Sequence, residues 1–289
     1  MTGEVVGEFL GGVSKVAVLV FVVTCMATAG LGLSVRDLVA PLRRGRLVAI
    51  AVVANFVVSP AIAYGLTVLV KLDKPHAIGL LLLGGAAGAP FLPKLAEVAK
   101  GDLAFSIGLM LLLMVGSVAF MPLVLPLLIP GLAPDPWPLL RPLLVTMLLP
   151  LAVGMAAKRY AGRWADRVRP VLGAVSNVSM ILTVLLLIGL NFGAMAGTFG
   201  SGAVAVAVVF VALSLAVGYV FGGPAPGTRS VVGLGTGQRN VAAALLIATQ
   251  NFPEEPGVVV MLLVSTIAGL VVLLVAARRF AHSADPRPA

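Results

Sequence analysis

The sequence is short of the residues that most protein chemistry needs. It holds one cysteine and two histidines in 289 residues. A lone Cys25 cannot close an internal disulfide, and no zinc or thiol-relay spacing can be built around it. His76 and His282 stand near the ends of apolar runs and give little support for a proton switch. There is no catalytic triad, phosphate loop or metal-ligand cluster, so the sequence implies neither an enzyme nor a cofactor. Charge is scarce too. Charged residues make up 11% of the chain, where a soluble domain carries about 25%.

What fills the sequence instead is hydrocarbon, at 60% hydrophobic residues. Apolar runs of roughly 20 residues recur along the whole length, each long enough to cross a bilayer core of about 30 Å. No strand-type alternation is visible, which argues against a membrane barrel. The spanning elements are therefore expected to be helices, which satisfy their own backbone groups in lipid. Nine spans are expected, near 13–34, 47–69, 77–99, 103–129, 139–158, 174–193, 202–222, 229–250 and 257–277. The tract from Pro130 to Pro138 reads as a loop, because its prolines cannot continue a helix. The start carries Glu4 and Glu8 and does not read as a signal peptide. The tail after Arg279 reads as disordered.

The net charge of +9 is explained by topology rather than by nucleic acid. With the N-terminus outside, the inner side receives Arg36, Arg43, Arg44, Arg46, Lys100, Lys158, Arg159, Arg163, Arg167, Arg169, Arg229, Arg278, Arg279 and Arg287, fourteen in all. The outer side receives Lys15, Lys71, Lys74 and Arg141, four in all. This alternation predicts a multi-pass protein of the cell membrane with its C-terminus in the cytoplasm. The cluster Arg163, Arg167 and Arg169 with Trp164 reads as a topology anchor, with a lipid-headgroup patch as the alternative.

Spans one to four and six to nine enter the membrane from opposite sides, around a lone fifth span. That is the pattern of an inverted repeat. The third helix of each unit is interrupted: GGAAGAPFLP over Gly84 to Pro93, and GLGTGQRN over Gly233 to Asn240. Glycine and proline make a continuous helix expensive there, at about 1 and 3 kcal/mol per residue. Close packing through small residues is the competing reading of each stretch. Paired interruptions at matching depth point to a transport site. The first stretch contains Pro90 and is followed by Lys94 and Glu97; the second contains Thr236, Gln238, Arg239 and Asn240. Lys94 and Glu97 are three apart and share a helix face. Arg239 is read either as one half of an ion pair with Glu97 or as a cationic subsite. In the second reading its planar fork would hold a carboxylate, helped by the positive ends of the half-helices. The three charged groups are expected to meet at the interruptions. Asn55, Ser59, Ser106, Asn177, Thr183 and Asn191 could line a cavity or bond between helices.

At these segments the chain resembles the bile acid:sodium symporter family. The resemblance rests on GLSVRDL (Gly32 to Leu38), the segment from Gly79 to Ser106 with its AKGD tetrad at 99–102, and the run from Gly233 to Ala248. It covers essentially the whole chain, although auxin and arsenite carriers share the architecture. It implies an all-α membrane protein in which two broken helices cross, in one transporter domain over 1–289. The core would come from the spans at 47–129 and 202–277, and the panel from those at 13–34 and 139–193. Substrate would bind beside the crossing, and the chain would be a nine-span form lacking the first helix of ten-span members.

The resemblance also implies where sodium ligands belong, and this chain departs there. Ser-Asn is replaced by Leu92 and Pro93, an acidic residue by Gly235, a glutamine by Arg239 and a threonine by Met110. Ser106 and Asn240 are kept. These departures weigh against sodium coupling, with the guanidinium standing where a cation would otherwise bind. The expected function is secondary transport of a small organic anion by alternating access. The alternative is a channel-like or sensory membrane protein of the same fold. A metalloid exporter is disfavoured, since neither broken helix has a cysteine.

Overall fold

In the computed structural model of the chain, residues 2–34, 36–37, 43–129, 131–132, 135–198 and 202–284 are described. Leu38, the end of the tail with Arg287, and Pro130, Ala133 and Pro134 of the proline tract lie outside the described residues. All regular structure among the described residues is helical. The helices are α1 (Thr2–Leu31), α2 (Gly45–Val70), α3 (Lys74–Gly85), α4 (Leu92–Val98), α5 (Leu103–Leu128) and α6 (Trp137–Tyr160). They continue with α7 (Gly162–Leu190), α8 (Phe192–Thr198), α9 (Ala203–Phe221), α10 (Pro226–Gly237), α11 (Val241–Asn251) and α12 (Pro256–Ala284).

Seven of these helices, together with the broken pair α10 and α11, are long and apolar enough to cross a membrane. The other broken pair, α3 and α4, supplies a ninth pass, so the count read from the apolar runs stands. One boundary moves. The helix of the sixth span starts at Gly162, because Arg163, Arg167 and Arg169 sit in its first turns rather than in a loop.

Helices α2 and α6 each contain one wide, π-helical turn, at Ala54–Val58 and Leu144–Leu148. Each lies just before a proline, Pro60 and Pro150. Proline lacks an N–H, and its ring crowds the carbonyl four residues back, so the turn before it opens.

The two repeat units pack alike. Helix α3 touches α5 and α12, and α10 touches α12 and α5; α4 lies on α5, and α11 on α12. Helices α1, α6 and α7 pack chiefly on one another. There the close approach is made by glycine. A Cβ on Gly30 would overlap the carbonyl of Leu151, and one on Gly154 would stand 2.6 Å from the carbonyl O of Ala27. Lipid gives helices no hydrophobic reason to associate, so such backbone contact supplies dispersion energy instead.

Candidate functional site

The first helix opens at residues 86–91, between α3 and α4. Gly88 takes φ +76°, and a Cβ there would overlap the backbone N of Met114. Only glycine permits both the left-handed backbone and the contact. The loop then leaves polar backbone groups in a buried place, where each needs a partner. Ser117 on α5 serves two: its hydroxyl accepts from the N–H of Ala87 at 2.8 Å and donates to the same residue's carbonyl at 2.9 Å. Pro93 falls in the first turn of α4, where no N–H is required.

The second helix opens only after the last of its glycines. Gly233, Gly235 and Gly237 remain helical, and the chain leaves the helix only at Gln238, with φ −84° and ψ 130°. The physical reason is packing. A Cβ on Gly233 would stand 3.0 Å from Cβ of Tyr219, and one on Gly237 3.0 Å from Cβ of Leu215, so these glycines bring α10 against α9. The small-residue reading was right for them, and the break belongs to Gln238, Arg239 and Asn240. Asn240 caps α11, accepting from the N–H of Ala243 at 3.2 Å.

The two openings are tied to each other. The N–H of Asn240 donates to the carbonyl of Ala86 at 2.8 Å, and its side-chain amide donates to that of Gly88 at 3.3 Å. Arg239 fills the space beside this tie. It is 6% exposed. Its Nε donates to Leu83 O at 2.8 Å and its Nη2 to Gly84 O at 2.5 Å, the carbonyls at the end of α3. Its Nη1 donates to Asn55 Oδ1 at 2.9 Å and Thr236 O at 3.2 Å. One guanidinium thus takes up a carbonyl from each break, Gly84 O and Thr236 O, and shares Leu83 O with the N–H of Ala86.

Several expected site residues are placed differently. Lys94 and Glu97 do pair, at 2.8 Å, but both side chains are more than half exposed. Among the described residues no ion pair joins either to Arg239, so the three charges do not meet. The ion pair of Glu97 with Arg239 is corrected accordingly. The carboxylate fork is corrected too: a guanidinium has five N–H donors, four are committed, and the one left cannot hold two oxygens. Ser106 is fully buried and bonds the carbonyl of Leu103 in its own helix at 2.7 Å. Pro90 lies in the first opening, partly buried. Thr236 is fully buried, donates to Val232 O at 2.8 Å and accepts from Asn55 Nδ2 at 3.2 Å. Gln238 keeps a buried carbonyl oxygen without a partner.

Of two further residues in the arrangement, Asn55 was named in the sequence only as a cavity-lining or helix-bonding residue, and Ser117 was not singled out. Asn55 holds both Arg239 and Thr236 from the wide turn of α2, and Ser117 holds Ala87. Asn55 had a signal, a polar side chain five residues before Pro60 in an apolar run. Ser117 had only its polarity.

Nine passes, an inverted pair of units and two half-helices meeting inside the membrane define the class: a membrane transport protein built around a broken-helix crossing. The sequence matches the Sodium Bile acid symporter family over residues 18–198, and the chain belongs to that family. Members are transporters, and the chain is a membrane transporter of the bile acid symporter type. The match ends before α9, so the second broken helix lies outside it. No curated protein matches the chain.

The family's name includes sodium, and the residues at the crossing do not fit that ion. A Cβ on Gly235 would stand 3.0 Å from Cδ2 of Leu92 and 3.7 Å from Cδ2 of Leu109, so the place is walled by leucine. Met110 is buried as well. The oxygens nearby, Leu83 O, Gly84 O, Thr236 O and Asn55 Oδ1, already accept from a cation. A hard cation needs oxygens free to replace its water.

Proposed function

We propose that the chain is a secondary transporter of a small organic anion, working by alternating access. The core would be the spans at 47–129 and 202–277, moving against a panel of the spans at 13–34 and 139–193. The contacts support this division, since α1, α6 and α7 form their own layer and meet the broken helices mainly through α11. The carrying observation is Arg239. Its charge is buried at the crossing, and among the described residues no acid neutralises it. Carbonyl dipoles take four of its five N–H groups but leave its net charge, and that field favours an anion over a cation nearby. Arg239 acts here through its field, and direct contacts fall to groups around it, Gln238 with its unpartnered oxygen among them. Helix α11 adds the positive end of its dipole on the same side. The charge alternation supports a cell-membrane protein with the N-terminus outside.

Uptake of labelled organic anions into vesicles holding the purified protein tests this reading. A carrier gives saturable uptake and counterflow, in which unlabelled anion inside accelerates entry of labelled anion. Flux without counterflow would identify a channel, and no flux of any anion would leave a sensory role.

A further inference from the structure

We propose that the guanidinium of Arg239 is a tethered counter-cation. It permanently fills a monovalent-cation site formed by the two helix openings and the wide turn of α2. This deepens the carrier reading above by naming what balances the crossing during the cycle.

Four oxygens from three different helices converge on one positive group: Leu83 O and Gly84 O from α3, Thr236 O from α10, and Asn55 Oδ1 from α2. All four lie 2.5 to 3.2 Å from guanidinium nitrogens. Backbone and amide oxygens are the donors that cation sites use, and here they surround the three nitrogens of a side chain from the same chain. The surroundings make the cation necessary. Leu83 O and Gly84 O sit at the C-terminal end of α3, where the helix dipole is negative. Without a positive group Gly84 O and Asn55 Oδ1 would lose a charged donor in a buried space, and Leu83 O would keep only the N–H of Ala86. The π-helical turn over Ala54–Val58 carries Asn55, buried, to the guanidinium and to Thr236 together.

A fixed cation differs from a free one in not leaving. The site stays occupied at every stage, so no ion gradient is consumed to fill it. It follows that removing the side chain creates a site for a free cation. Guanidinium should enter first, because it reproduces the donor directions.

The test is a titration of purified protein with cation chlorides at constant ionic strength, read as thermal unfolding midpoint and as anion uptake. Arg239→Ala should show a saturable rise in midpoint with guanidinium at millimolar concentration, and none with choline. The native protein should show no such rise. Uptake by Arg239→Ala should fall at least tenfold and recover in part over the same guanidinium range. If Arg239→Ala does not fold, Arg239→Gln replaces it, and guanidinium should then raise its midpoint while choline does not. Equal responses of native and variant protein, or none in any variant, would overturn the proposal. The midpoint reads the cation site even if no tested anion is carried, which separates failure here from failure of the carrier reading.

Discussion

Asn55 is the residue on which the crossing most depends after Arg239 itself. Its carbonyl takes one N–H of the guanidinium, and its amide donates to Thr236 Oγ1 and to Ala51 O. Asn55→Leu leaves a buried charged donor unpaired, and hydrogen bonds to charged groups are worth about 1.5–3 kcal/mol. The variant should unfold at lower temperature and transport more slowly than the native protein in paired thermal and uptake assays; an unchanged midpoint would remove Asn55 from the account. Ser117→Ala orphans both polar groups of Ala87. It should cost about 2 kcal/mol in denaturant unfolding, whereas Ser117→Thr keeps the hydroxyl and should recover part of the loss. Arg239 and Asn240 were legible in the sequence, because a charge and an amide inside an apolar segment demand an explanation. Where their donors go was not legible. The acceptors are mainly backbone carbonyls of a helix more than 150 positions earlier, and a carbonyl leaves no mark on sequence.

The two interruptions show how differently glycine can act within an element. Gly88 is required by backbone angle and by contact with α5, whereas Gly233 and Gly237 stay helical and serve packing. Sequence could locate both glycine-rich stretches but could not separate these roles, since both have the same composition. Gly88→Ala should therefore abolish properly folded protein. Gly65→Ala, where a Cβ meets nothing within 4 Å, should leave expression and midpoint unchanged or slightly improved, by up to about 1 kcal/mol. Size-exclusion profiles of the two variants in detergent decide the point. If Gly88→Ala elutes and melts like the native protein, the sharp opening at 86–91 is wrong. The wide turns before Pro60 and Pro150 have the same lesson. The prolines are visible in sequence, but whether each kinks, ends or widens its helix depends on what packs beside it.

At the scale of the whole molecule, apolar runs and basic residues carried most of the fold. The nine passes and the inverted arrangement follow from run length and alternation, because lipid forces each pass to be a helix. The missed feature is the separation of Lys94 and Glu97 from Arg239: the pair lies on the exposed face of α4, and Arg239 is buried. Orientation can be measured with single cysteines in a Cys25→Ser background. Lys71→Cys should react with an impermeant maleimide on intact cells, and Arg163→Cys only after permeabilisation; the reverse would invert the protein. The charge at the crossing is the centre of the account, and one flux measurement addresses it most directly. Counterflow of a transported organic anion is recorded with sodium replaced by choline, at fixed pH and membrane potential. With Arg239 as the resident cation the rate should be the same in both salts. A steep, saturable dependence on sodium would contradict it, and would mean that an ion binds at the crossing despite the guanidinium.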